Sequence, residues 1–157
     1  MSEAVASSSG RSRVVVADDH PLARDMLKQV ICQEPDLEVI GEAQDGYEAL
    51  ELCRRLRPDT VLIEARMPKM GGIEATQRIK QELPWIPILV MNTFRDPDQL
   101  LEALEAGAAG YVLKSSGPQQ IRNAVRGALI GERPLDEETT MELLRRLVDE
   151  ASNGSSH

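Results

Sequence analysis

Four apolar runs in this chain end in side chains able to handle a cation or a phosphoryl group. Val14-Val15-Val16-Ala17 leads into Asp18-Asp19, Thr60–Ile63 into Glu64, Ile88–Met91 into Asn92-Thr93, and Gly110–Leu113 into Lys114. Three carboxylates brought within a few ångströms would repel one another unless an ammonium or a metal neutralised them, and Lys114 or a divalent ion could do so. An oxygen-ligand site that keeps its waters favours Mg²⁺ over Ca²⁺. Mg²⁺ and a lysine together suit phosphoryl chemistry. Other chemistries lack their motifs: no GxxxxGK[ST] loop, GxGxxG turn or GxSxG elbow occurs. A flavin phosphate would be repelled by Asp18-Asp19.

Taken singly, each residue has a plainer reading. Asp18-Asp19 before Pro21 reads as helix-capping acids, Lys114 as a solvated lysine, Asn92 as a turn residue and Glu64-Ala65 as a strand end. Their convergence favours a site, because ligands of open parallel sheets bind beyond the carboxyl ends of the strands.

The elements that must position them follow from periodicity. The four runs above and Leu37–Ala43 read as five short strands. Between and after them lie five helical stripes. The first carries Leu22, Met26, Leu27, Val30 and Ile31 behind Pro21, and the second Ala49, Leu50, Cys53 and Leu56 before Pro58. Ile73, Thr76, Ile79 and Leu83 mark the third, Leu100, Leu101 and Leu104 the fourth, and Ile121, Ala124, Val125 and Ala128 the fifth. Strands alternating with helices predict an α/β, doubly wound, five-stranded parallel sheet with helices on both faces. After Glu132-Arg133-Pro134, Asp136 is placed to cap an extra C-terminal helix bearing Met141, Leu144, Leu147 and Val148, an appendage with a solvated face. Asp136 to Glu150 holds six acids and two arginines, a net −4.

Composition bounds what such a domain can do. The 157 residues, 41% hydrophobic and 28% charged, suit one globular domain, and a net charge of −8 opposes direct contact with nucleic acid or an anionic membrane. The four aromatics, Tyr47, Trp85, Phe94 and Tyr111, are too scattered for a base-stacking platform. Cys32 and Cys53 read as reduced, mostly packed thiols, and the lack of an apolar leader or span predicts a cytoplasmic protein.

The stretches Val16-Ala17-Asp18-Asp19-His20-Pro21, Gly41-Glu42-Ala43-Gln44-Asp45-Gly46, Arg66-Met67-Pro68-Lys69-Met70-Gly71-Gly72-Ile73-Glu74-Ala75, Ala106-Gly107-Ala108-Ala109-Gly110-Tyr111 and Leu113-Lys114 together resemble the receiver domain of bacterial two-component response regulators, NarL/FixJ subclass. The resemblance implies a flavodoxin-like strand order 2-1-3-4-5. It implies a receiver over 13–131 and a linker helix over 132–151, flanked by what composition sets apart as a disordered tail over 1–12 and a flexible tail over 152–157. It further implies Mg²⁺ held by Asp19 directly, Asp18 through water, the Arg66 carbonyl and position 64. Lys114 would contact the phosphoryl group, and Tyr111 would be the aromatic that changes rotamer on activation. The implied partners are a sensor histidine kinase, a LuxR-type DNA-binding effector and a second copy in a homodimer.

Two positions depart from the family pattern. Glu64 stands where the phosphoacceptor aspartate is expected, and Asn92, with Thr93 one place later, stands where a Thr or Ser hydroxyl would read the phosphoryl group. One added methylene carries the carboxylate about 1.5 Å further, toward the volume a phosphoryl oxygen would fill. Glu64 is therefore expected to be a poor phosphoacceptor and a partial phosphoryl mimic acting on Lys114. Opposite charges 4 Å apart attract by roughly 4 kcal/mol at an effective dielectric of 20, before desolvation. Asn92 is expected to donate its amide to Glu64 and, with Thr93 and Tyr111, to form the switch. Two other readings stand beside this regulatory, non-enzymatic one: a small Mg²⁺-dependent phosphotransfer enzyme, and an interaction domain with a vestigial acid site.

Overall fold

The computed structural model describes residues 10–155. Its five strands are Ser12–Ala17 (β1), Leu37–Ala43 (β2), Thr60–Glu64 (β3), Ile88–Asn92 (β4) and Gly110–Leu113 (β5), all parallel and ordered β2-β1-β3-β4-β5. The helices are Pro21–Cys32 (α1), Gly46–Leu56 (α2), Gly72–Glu82 (α3), Pro97–Glu105 (α4), Pro118–Leu129 (α5) and Glu137–Ser155 (α6), with a 3₁₀ turn at Lys114–Ser116. Successive strand side chains face opposite ways. Val15, Ile63 and Val90 therefore share a core with α2, α3 and α4, whereas Val16, Leu62 and Met91 share one with α1 and α5. This is the doubly wound architecture expected from the alternation of strands and helices.

Three strands extend beyond their apolar runs, because the parallel ladder continues regardless of side-chain polarity. β1 begins at Ser12, inside the expected tail, while Glu64 pairs with Met91 and Asn92 with Leu113. Both polar residues are thereby held at fixed places on the carboxyl rim. The tail expected over 1–12 otherwise lies mostly outside the described residues.

Two helical stripes differ from expectation. On α1 the buried residues are Leu27, Val30 and Ile31, while Leu22 and Met26 are 84% and 64% exposed. At 3.6 residues per turn Leu22 lies about 180° around the helix from Ile31. On α6 the expected stripe of Met141, Leu144, Leu147 and Val148 is exposed, and Thr139 and Leu143, one turn apart, are buried instead.

The α6 helix is also less of an appendage than its composition suggests. Tyr111 donates its backbone N–H to the Pro134 carbonyl and accepts from the Asp136 N–H, each at 2.9 Å, so the connecting segment bridges to the edge of β5. Asp136 then caps α6, accepting from the Thr139 N–H at 3.0 Å and its hydroxyl at 2.6 Å. Ion pairs Arg95–Glu138 and Arg146–Asp98, at 2.7 and 3.1 Å, fasten α6 to α4 and the loop before it. The helix runs on through Ser155, past the expected linker end at 151, so 152–155 is helical where a flexible tail was expected; 156–157 lie outside the described residues.

Cys53 is buried, and burial pushes its thiol up to about 12, but Cys32 is exposed, contrary to the expectation that both pack. Among the described residues no helix is long and apolar enough to cross a membrane.

Candidate functional site

The carboxyl ends of β1, β3 and β5 bring Asp18, Glu64 and Lys114 together. Asp18 is fully buried and fixed through its backbone. Its N–H donates to the Ala43 carbonyl at 2.9 Å, and its own carbonyl accepts from the Arg24 guanidinium at 2.6 Å. Its Oδ1 accepts from the His20 N–H at 3.0 Å, and the N-cap residue of α1, His20, makes no side-chain cap. Asp18 thus braces the β1–α1 turn and is not the helix cap that its position before Pro21 suggested. Glu64 is held from the other side by the loop entering α3. Gly72 comes so close that a Cβ there would stand 2.1 Å from the Glu64 carbonyl, so only glycine fits.

Lys114 lies between the two acids. Its Nζ is 2.5 Å from Asp18 Oδ2 and 2.5 Å from Glu64 Oε1, with only 19% of the side chain exposed. Burial pulls the Lys114 pKa down, but the contacts with Asp18 and Glu64 outweigh it and leave the pKa raised. For Glu64 burial dominates and pushes the carboxyl up, with Asp18 adding to the rise; Lys114 and the Arg66 backbone amide pull the other way. The rim is thus a dry place where one ammonium serves two carboxylates.

Asp19 stands beside this pair with its side chain 25% exposed; its buried Oδ1 accepts no hydrogen bond and lies 3.4 Å from His20 Nδ1. A buried carboxylate oxygen that accepts no hydrogen bond, in an acid-rich corner, fits a cation. The ligand atoms of Asp18, Asp19 and His20 lie within 4.8 Å of one another. Glu64, expected among the metal ligands, is not in that group, and its Oε1 contacts Lys114. Arg66 follows the strand by two residues, and its exposed guanidinium points toward Asp96 at 3.7 Å.

Asn92 does not donate to Glu64 as expected. Its Nδ2 donates to the Phe94 carbonyl at 2.6 Å and to the Tyr111 hydroxyl at 3.2 Å, closing the turn after β4. Tyr111, fully buried, passes the chain on by donating to Gln99 Oε1 at 3.1 Å, and burial pushes its phenol up to about 12. Thr93 is exposed just beyond the strand. Sequence reasoning missed Gln99, for which no local signal existed. It also missed any part for His20, although its place directly after the acidic pair was visible.

Residues 14–126 match the family model described as the response regulator receiver domain. Among curated proteins, the transcriptional regulatory protein LiaR of Bacillus subtilis (strain 168) is 40% identical over 145 residues, 92% of this chain and 69% of that protein. The chain spans 55% to 69% of the length of this and three other curated relatives. Among solved structures, a LuxR-family two-component response regulator from Aurantimonas sp. SI85-9A1 superposes with a TM-score of 0.84 at 36% identity, covering 88% of this chain and 99% of that one. The signal receiver domain of the putative response regulator NarL from Mycobacterium tuberculosis gives 0.75 at 35% identity, covering 78% and 98%. With its motifs, its strand order and these matches in agreement, the chain belongs to the response regulator receiver domain family, in its LuxR/NarL branch.

Proposed function

We propose that this receiver signals through its conformation without needing a phosphoryl group, because Glu64 already supplies Lys114 with a negative partner. The observation that carries the reading is the 2.5 Å contact between Glu64 Oε1 and Lys114 Nζ. The lengthened carboxylate puts one negative charge on the ammonium, where a phosphoryl group would bring about −1.5 to −2. In this reading Glu64 occupies the phosphoacceptor position, and Asn92, Thr93 and Tyr111 form the switch, with Gln99 as its buried anchor. Asp19 directly, Asp18 through water and the Arg66 carbonyl are the residues that would hold a divalent cation, Mg²⁺ by family resemblance. Such a cation would offset the acid corner's charge. The names of the relatives support an output in transcription through a LuxR-type DNA-binding effector, in cis or as a partner, with a second copy of the chain as a further partner. A sensor histidine kinase would be a partner only of a form able to take the phosphoryl group. The cytoplasm is the compartment this reading requires.

Acetyl phosphate with Mg²⁺, followed by intact-mass analysis, tests the reading. The wild-type chain should remain unmodified and Glu64→Asp should take a phosphoryl group. A phosphoryl adduct mapped to Glu64 itself would overturn it.

A further inference from the structure

The C-terminal helix α6 carries more apolar surface than the receiver body covers. Of its 19 residues, Thr139 and Leu143 are buried, and from Leu144 to Gly154 every residue is exposed, three further turns of helix. Such a length is not stable alone, since isolated helices shorter than about 12–15 residues are marginal in water. Asn153 and Gly154, in its last turn, are poor helix formers besides.

Met141, Leu144, Leu147 and Val148 are each at least 42% exposed. At about 100° per residue they cover an arc of about 120° beside the buried face. Met141, Leu144, Val148 and Ala151 follow one another at steps of three, four and three residues, the a and d positions of a coiled-coil seam. A seam of this kind is covered by another helix.

Charge decides which helix and in which direction. The ion pairs of α6 use Glu138, Glu142 and Arg146, which leaves Arg145 and Asp149, one turn apart on the flank of the seam, unpaired among the described residues. The charges are also segregated, with Glu137, Glu138 and Glu142 at the start of the helix and no charge from Ala151 to Ser155. A second α6 laid antiparallel sets Leu144 against the copy's Val148 and Met141 against its Ala151. It brings Arg145 to the same flank as the copy's Asp149, and lays the acidic start of each helix along the uncharged end of the other, with the helix dipoles opposed. A parallel pair would face those acids with the same acids.

We infer that α6 is a self-association surface, through which two copies of this chain pair antiparallel, with Leu144 and Val148 closing the seam and Arg145 bonded to Asp149 across it. This rests on the reading of a second copy as a partner and gives that partner a surface. One helix pair is small beside the roughly 1,600 Å² of a standard interface, so the association is weak and the dilute chain is monomeric.

Sedimentation equilibrium from micromolar to millimolar chain tests this on the wild type, Leu144→Glu, Arg145→Glu, Asp149→Arg and the double variant combining Arg145→Glu with Asp149→Arg. All three positions are exposed, so the receiver fold is kept, as circular dichroism will verify. The wild type should form a reversible dimer, which Leu144→Glu weakens on the order of tenfold or more. Each single charge reversal should weaken it as well, and the double variant should regain the wild-type affinity. A chain that stays monomeric throughout would overturn both the surface and the second copy as a partner. A dimer that Leu144→Glu leaves at wild-type affinity would overturn the surface alone, and a double variant no tighter than the single reversals would overturn the antiparallel pairing.

Discussion

Asn92 reaches across the rim to Tyr111 and not to Glu64: its amide donates to the phenol at 3.2 Å, and the phenol donates onward to Gln99 at 3.1 Å. The acid cluster and the buried aromatic are therefore adjacent but separately bonded, and the chain from Asn92 through Tyr111 to Gln99 ties β4, β5 and α4 together. The Tyr111 backbone also carries the bridge to the segment before α6. A change at the rim that moved Asn92 would thus be felt at the root of the C-terminal helix.

Tyr111→Phe keeps the ring and deletes one link. It leaves the Gln99 oxygen without its buried donor and removes one acceptor from Asn92, for a loss of about 1 to 3 kcal/mol. Urea denaturation should show a lower midpoint with an unchanged slope. Unaltered stability would mean that the hydroxyl makes no such bonds in solution.

Lys114→Met removes the one ammonium between two buried carboxylates, which should cost about 3 to 5 kcal/mol. Adding Glu64→Gln should recover part of the loss, because one uncompensated charge disappears with it. A double-mutant cycle then yields a coupling well above about 0.5 kcal/mol. Strict additivity would contradict a shared contact.

The raised pKa of Glu64 sets the direction of a pH effect. Burial first, and Asp18 after it, push the carboxyl above its ordinary 4.5 against the pull of Lys114. The folded chain therefore holds that proton more tightly than the unfolded chain, and ionising Glu64 costs stability. The cost is absent below 4.5, grows as pH rises toward the folded value and is constant above it. Relative to Glu64→Gln, the wild type should lose stability on rising through that window, as read from urea midpoints at stepped pH. Lys114 acts at the other end: its charged form stabilises the fold below 10.5, and that contribution fades only as pH climbs through its raised value.

Leu143 and Leu144 are neighbours in sequence and opposites in role. Leu143 is 7% exposed and packs into the core, whereas Leu144 is 49% exposed. Leu143→Ala should cost about 2 to 4 kcal/mol, and Leu144→Ala less than about 1 kcal/mol, both by chemical denaturation. Equal effects would mean that α6 is not docked on α4.

Strand positions were legible because buried parallel strands carry unbroken β-branched runs, and Val14–Ala17 and Thr60–Ile63 have few alternatives. Asp18, Glu64 and Lys114 were legible as a group because the sheet order alone brings their strand ends to one rim. The partner of Asn92 was not, since its amide could turn toward Glu64 or toward the aromatic, and only packing around Tyr111 decides that. Nor was the buried side of α6. Met141, Leu144, Leu147 and Val148 form the more apolar stripe, but the cap at Asp136 and the bridge at Tyr111 set the helix rotation and present Thr139 and Leu143 inward.

The pairing of Glu64 with Lys114 is tested most directly by side-chain nitrogen NMR of the lysine ammonium in the wild type and Glu64→Gln. The Lys114 signal should be shielded from exchange at neutral pH, distinct from that of Lys69, whose side chain is 73% exposed, and displaced when Glu64 loses its charge. A Lys114 signal that exchanges as fast as that of Lys69, or that is identical in the two proteins, would contradict it.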